Sequence, residues 1–287
     1  MSEAIRRVDE RLGLAVMRVS LSGRSLVTYA RDHVTVRTPS RPDFRDGNTL
    51  DLLDAPAPDA LARWVQRFEE TIGTLGADVV RLRWETPLAP DAPGDVPAPD
   101  DDLAAAAAAA GLALEPTTVL LLDDLVEPAK APVAVAPVPP PSVSDPQPTD
   151  RRWHAATVLY RYDGEDTGDP DMWRVWDEEF VGWSVDIQRE LATGGRAQVW
   201  VAQRHGAPVG RATLVHDRQG LAAVEDVIVH PVHRGLGVAA SLVYTAVAAQ
   251  RHLDPGVRVG LGAAPGSRAE RVYRRLGFVP HATVWSA

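Results

Sequence analysis

The run Val224-Glu-Asp-Val-Ile-Val-His-Pro-Val-His-Arg-Gly-Leu-Gly-Val-Ala-Ala-Ser-Leu-Val243 constrains the fold more than any other part of the chain. Its β-branched opening predicts a strand, Pro231 starts a connection, and an Arg-Gly-x-Gly loop leads into an alanine-rich helix. A glycine loop that runs into a helix start leaves several backbone N–H groups without an intrahelical acceptor. The helix dipole adds to their pull on an anion. Arg234 brings a permanent, fork-shaped positive charge to the same place. The arrangement suits a diphosphate, and so a nucleotide-containing cofactor.

Bulk properties narrow the class. A chain of 287 residues, 45% apolar and 24% charged, has the composition of a globular protein with room for two domains. A net charge of −9 argues against nucleic acid and against an anionic membrane, because both require a basic face. The acidic N-terminal residues do not make a signal peptide, and no apolar run reaches membrane-spanning length. With no cysteine there is no disulfide, no thiolate metal site and no cysteine nucleophile. The expected location is the cytoplasm. His205, His216, His230, His233, His252 and His281 are scattered without metal-ligand spacing, so no metal is expected. The serines lack the G-x-S-x-G elbow of a hydrolase.

The clearest expected boundary is the Pro-, Ala- and Val-rich segment 127–150. Its proline density denies it helix or central-strand structure and predicts an extended linker. Residues 1–126 read as a smaller α/β domain. Helices are expected near Glu3–Met17, at Asp59–Leu75 and from Asp100 to Gly111, and strands near 25–36, 49–53, 79–84 and 117–122. Beyond the linker, residues 151–287 begin with a helix near 170–191. Three strands joined by short turns follow, at 197–203, 206–215 and 222–229, a largely antiparallel meander. A helix, strand, helix and strand complete the order. The passages around Gly111 and Gly277 echo each other (Gly-Leu-Ala-Leu-Glu-Pro-Thr-Thr-Val and Gly-Phe-Val-Pro-His-Ala-Thr-Val), which leaves common ancestry and coincidence both open.

Gly235-x-Gly237-x-x-Ala240 also fits the dinucleotide fingerprint, with Asp254 suitably spaced for a ribose. Two features count against that fold. The fingerprint loop follows its strand at once, whereas five residues separate Val229 from Gly235 here, and too few residues remain for further parallel strands. In context the stretch resembles the cofactor motif of the GNAT superfamily of acyl-CoA N-acyltransferases. That motif is a strand with V-x-P near its end followed by R-x-x-G-x-G/A, present as Val229-His-Pro231 and Arg234-Gly-Leu-Gly237-Val-Ala239. Downstream, Tyr273-Arg-Arg-Leu-Gly277-Phe278 is similar to the family's Y-x-x-x-G-F, with Ala269 four residues earlier. Glu225-Asp226-Val-Ile-Val resembles the E-D-x-x-V strand of members that acetylate small amines. The first 126 residues are more loosely similar to a degenerate GNAT-like half.

The resemblance implies an α/β (α+β) protein with a GNAT-like mixed, mostly antiparallel sheet flanked by helices, preceded by the smaller domain and the linker. It implies acetyl-CoA as acyl donor and a small-molecule amine as acceptor, with direct attack in a ternary complex. It also implies a set of site residues. Arg234, Gly235, Leu236, Gly237, Val238 and Ala239 would hold the diphosphate. Backbone N–H groups of Val227, Ile228 and Val229, freed by a bulge or splay, would hold the acyl carbonyl and pantetheine arm. The family often carries an asparagine at the position of Gly266, so a side-chain hydrogen bond there is either missing or supplied by Ser267.

Amide formation needs a neutral amine, and deprotonating an alkylammonium near pH 7 costs roughly 4 kcal/mol. As the resemblance implies, Glu225, acting through a water, is the expected general base, its pKa raised by an apolar strand. Strand alternation places Val227 and Val229 on its face and Asp226 and Ile228 on the other, so Asp226 remains its rival. Tyr273 would protonate the departing thiolate, since a phenol stays protonated at neutral pH. Asp163, Glu165, Asp166, Asp169, Asp171, Asp177, Glu178 and Glu179, interleaved with Trp173, Trp176 and Trp183, suggest a cationic acceptor. The alternatives are a solvated acidic helix there and, for the whole chain, a catalytically silent acyl-CoA-binding or sensor protein. A homodimer is compatible with either.

Overall fold

Short helices and strands build the described part of the first 121 residues. The computed structural model describes residues 11–21, 23–88, 97–129, 133–141, 151–160 and 178–287. Helix α1 covers Leu12–Val19, and strands β1 (Leu26–Tyr29) and β2 (His33–Arg37) form a hairpin where the sequence suggests one strand. Strand β3 (Thr49–Leu52), helix α2 (Leu61–Thr71), strand β4 (Leu82–Pro87), helix α3 (Asp101–Ala109) and strand β5 (Glu115–Leu122) follow. The apolar spacing of α2 puts Leu61, Trp64 and Phe68 on one buried stripe. Asp100 caps α3 by accepting a hydrogen bond from Leu103 N at 2.9 Å, a contact worth about 1 kcal/mol.

The remaining elements are strand β6 (Ala134–Pro137), helices α4 (Arg151–Tyr160) and α5 (Glu178–Thr193), and strands β7 (Ala197–Arg204), β8 (Ala207–His216) and β9 (Leu221–Val229). Helix α6 (Val238–Leu253), strand β10 (Arg258–Ala263), helix α7 (Arg268–Arg275) and strand β11 (Phe278–Ser286) close the chain. They form two compact units whose membership is not simply sequential. The first comprises Met1–Leu121, Leu261–Arg271 and Val279–Ala287, and the second Leu122–Gly260 with Val272–Phe278.

In the first unit the strand order runs β1-β2-β3-β4-β11-β5, with β11 antiparallel to β4 and Trp285 opposite Trp84. The two echoing strands, β5 after Gly111 and β11 after Gly277, are therefore neighbours. The core collects Leu50, Leu52, Trp64, Phe68, Leu82, Trp84, Leu103 and Trp285. Beside it lies a buried charge cluster. Asp51 accepts hydrogen bonds from Arg83 Nε at 2.7 Å and Arg18 Nη1 at 3.0 Å, and Thr49 Oγ1 donates a third at 3.0 Å. Burial pushes the Asp51 pKa up, but the charges of Arg83 and Arg18 outweigh it and hold the carboxyl below its ordinary value.

In the second unit the order is β10-β9-β8-β7-β6, antiparallel except for the β9–β10 pair. The segment expected to be only a linker supplies an edge strand. Ala134–Pro137 pairs with β7, Pro137 standing opposite Trp200, and Val138 N donates to Val199 O at 2.8 Å. Proline is tolerated there because an edge strand has one side with no ladder to complete. Trp153 Nε1 donates to Pro139 O at 2.8 Å and ties helix α4, which periodicity did not reveal, to the same segment. Gly210 leaves room for α6 to approach β8: a Cβ there would lie 2.9 Å from Val238 Cγ1. Its neighbour Arg211 bonds to α4 and α5, so α6 covers one face of the sheet and α4 with α5 the other. Among the described residues no helix is long and apolar enough to cross a membrane.

Candidate functional site

The expected site begins in a strand that loses its regular ladder. Strand β9 pairs with β10 only at Leu221, Ala222 and Ala223, so along Val224–Val229 the β10-facing edge is not taken up by that ladder. On its other side the register with β8 shifts: Thr213 stands opposite Glu225 and Arg211 opposite Ile228. Ala212 thus faces two residues, Asp226 and Val227, which is a β-bulge. Asp226 sits at φ 50°, in the left-handed region. For a non-glycine residue this costs about 1–3 kcal/mol, and aspartate is among the residues that tolerate it best.

The bulge corrects the alternation expected for this strand. Glu225 shares a face with Ile228, not with Val229, because one extra residue is accommodated between them. Glu225, Asp226 and Val227 are half-buried, whereas Ile228 and Val229 are buried. Directly paired residues point to the same face, so Glu225 lies with Thr213 on the α4 and α5 side.

Downstream, Pro231–His233 form a single 3₁₀ turn and Arg234 turns back, its Nε donating to Val229 O at 3.1 Å. Gly235 and Gly237 have φ of 80° and 84°, conformations that glycine adopts without a Cβ penalty. Gly237 is the N-cap of α6 and offers no side-chain oxygen, so no side chain of the cap competes for the first N–H groups. Val238 is buried beneath the turn, Ala239 is half-buried and Leu236 is exposed. The residues expected to hold a diphosphate are therefore brought together, and they fit one: a glycine-led helix N-terminus with a guanidinium beside it. The rings of His230 and His233 lie 5.7 Å apart in the same turn. Burial, with the nearby charges of His233 and Arg234, holds the His230 pKa below its ordinary value.

Tyr273 stands on α7, buried, its ring edge-on to Phe278 with centroids 6.3 Å apart. Gly277 explains the glycine of its motif. Its φ is 92°, and a Cβ there would lie 1.6 Å from Asp124 O. Ser267 is engaged in local structure: its Oγ accepts from Glu270 N at 3.1 Å, while the Glu270 carboxylate accepts from Gly266 N at 2.6 Å. This is a variant of the capping box that starts α7. Of the acidic and tryptophan-rich segment, Glu178, Glu179 and Trp183 lie on α5; Asp163, Glu165, Asp166, Asp169, Asp171, Trp173, Trp176 and Asp177 lie outside the described residues. No group of three or more metal-ligating side chains occurs among the described residues.

Sequence reasoning did not find the polar cluster behind the bulge. Arg211 Nη2 donates to Gln188 Oε1 at 2.6 Å and to Thr213 Oγ1 at 2.8 Å, and its Nη1 donates to Ala156 O at 3.1 Å. Gln188 Nε2 in turn donates to Asp226 Oδ2 at 2.6 Å. The Arg211 guanidinium also lies 4.8 Å from the Tyr160 ring centroid. Two signals were available: an arginine inside the mostly apolar, buried β8, and a glutamine on the buried stripe Val181–Ser184–Val185–Gln188–Leu191 of α5.

Residues 156–278 match the Acetyltransferase (GNAT) family. Solved structures with the same fold include a functionally unknown conserved protein from Staphylococcus epidermidis, at TM-score 0.63 and 12% identity over 90% of this chain and 91% of that one. A GCN5-related N-acetyltransferase from Kribbella flavida matches at TM-score 0.56 and 19% identity, covering 100% of this chain and 95% of its own. A tandem GNAT protein from the clavulanic acid biosynthesis pathway matches at TM-score 0.52 and 16% identity over 99% and 94% of the two chains. At these identities the likeness speaks to fold, and it extends to the two-domain arrangement. No curated protein matches the chain.

Proposed function

Because this chain carries a GNAT acyltransferase domain over residues 156–278, we propose that it acetylates the primary amine of a small acceptor. Acetyl-CoA is the donor, and the amine attacks directly in a ternary complex. The observation that carries this reading is the continuous sequence of bulge, turn and uncapped glycine-led helix from Asp226 to Val238. A diphosphate against α6 places the thioester end of the same ligand toward β9.

The chain's own groups then divide the chemistry. The N–H groups from Gly235 to Ala239, with Arg234, bind the diphosphate. The main chain at Val227, Ile228 and Val229 receives the pantetheine arm and donates to the acyl oxygen as negative charge develops there. Glu225, through a water, accepts the proton that the attacking amine loses. As the C–N bond forms and the C–S bond breaks, the Tyr273 phenol gives its proton to the leaving sulfur. Proton transfer of this kind contributes typically ~10²–10⁴-fold. Glu178 and Glu179 at the start of α5, with Trp183 one turn on, favour a cationic acceptor.

Titration calorimetry with acetyl-CoA and with NAD, followed by thiol release against a library of cationic and neutral amines at low salt, tests the reading. Heat from acetyl-CoA alone, with thiol released fastest by cationic amines, is the expected result. Binding without thiol release would make the protein a silent acyl-CoA sensor, and no binding at all would end the proposal. Equal rates for neutral amines would remove only the cationic acceptor.

A further inference from the structure

The geometry points to Asp226 as a positioning residue, pinned through Gln188 and Arg211 so that the bulge keeps the main chain of Val227 aimed at the acyl oxygen. The inference rests on the acetyl-transfer reading for its kinetic consequence, while the pin itself is a property of the fold. Three observations converge on it. Asp226 is the bulge residue that adopts the left-handed conformation, so whatever holds its carboxylate also holds the kink. Gln188, fully buried, spans the gap with both ends used: its amide donates to Asp226 Oδ2 and its carbonyl accepts from Arg211, each at 2.6 Å.

Arg211, also fully buried, is the β8 residue that borders the bulge, paired with Ile228 one step past it. It is anchored to three further groups: Thr213 on its own strand, the Ala156 carbonyl on α4, and the Tyr160 ring at the end of α4. Its Nη2 also stands 3.7 Å from Asp226 Oδ2, an ion pair at the site of the kink. The assignment thus separates two adjacent acids: Glu225 is the proposed proton acceptor and Asp226 serves geometry.

The pin makes distinguishable demands on single substitutions in the full-length chain. Gln188→Ala and Asp226→Ala each remove it, and kcat should fall about 10- to 100-fold with the KM for acetyl-CoA changed less than about threefold, the pattern of an interaction felt in the transition state. Asp226→Asn keeps an acceptor for Gln188 and a residue that tolerates the left-handed backbone. It should recover most of what Asp226→Ala loses. If Asp226→Asn is as damaging as Asp226→Ala, the carboxylate is itself a proton carrier and the assignment fails. Unchanged kcat in Gln188→Ala overturns it equally.

Amide hydrogen exchange across 224–229, measured without ligand, keeps the idea testable if the protein transfers no acetyl group. Exchange should speed up in Gln188→Ala and stay near wild type in Asp226→Asn, and equal exchange in all variants would overturn the pin. Absence of thiol release from the wild-type protein would count against the acetyl-transfer reading alone.

Discussion

At the scale of single residues, two adjacent acids show what a sequence conceals. Alternation along β9 assigned Glu225 and Asp226 to opposite faces, yet the extra residue of the bulge breaks that period before it reaches Ile228. A bulge depends on what packs behind the strand, here Gln188 and Arg211, and neither adjoins it in sequence. Tyr273, in contrast, is singled out by its motif. Substituting Tyr273→Phe preserves the ring packed edge-on against Phe278 and removes only the phenol oxygen. The expected outcome is a fall in kcat of about 10²-fold with acetyl-CoA affinity unchanged, read by thiol release and calorimetry. His230 yields a pH prediction. Its pKa is depressed in the fold, so its contribution to stability is fully present above the unfolded value near 6.5 and declines as pH falls toward the folded value. The stability of the wild type relative to His230→Gln, measured by denaturant titration, should therefore drop between about pH 7.5 and pH 5.5. A constant difference would contradict the shift.

At the scale of elements, the periodic helices and the β7–β8–β9 meander lie close to where hydrophobic spacing put them, because one buried face dictates their pattern. Elements held mainly by contacts distant in sequence were harder to read. Helix α4 has a weak apolar stripe and is tethered through Trp153 to Pro139. Strand β6 is extended, as its prolines suggested for a linker, but β7 supplies it with a ladder. Gly277 belongs to this scale because it joins α7 to β11 where Leu276 and Gly277 carbonyls accept from Val126 and Asp123. Gly277→Ala would drive a Cβ into the Asp124 carbonyl and force an unfavourable φ, so a loss of at least ~3 kcal/mol is expected from overpacking and backbone strain together. Thermal or denaturant unfolding checks it; a loss below about 1 kcal/mol would mean the backbone can move aside.

At the scale of the whole molecule, composition predicted two α/β parts and the motifs placed the acyltransferase features in the later one. It did not predict that β11 completes the first unit's sheet between β4 and β5. Strand partners far apart in sequence leave no local signature, since Trp285 and Trp84 announce only that both are apolar. Removing residues 279–287 should therefore abolish cooperative unfolding of the first unit, as followed by near-ultraviolet circular dichroism. A fragment ending at residue 150 should likewise fail to fold, and a stable, cooperative fragment would refute this account. The placement of β11 also sets a timetable for synthesis. On the ribosome, the first unit must wait with its central gap open until Phe278–Ser286 has emerged, and during that wait the edges of β4 and β5 are exposed to chaperones or to stray β-pairing.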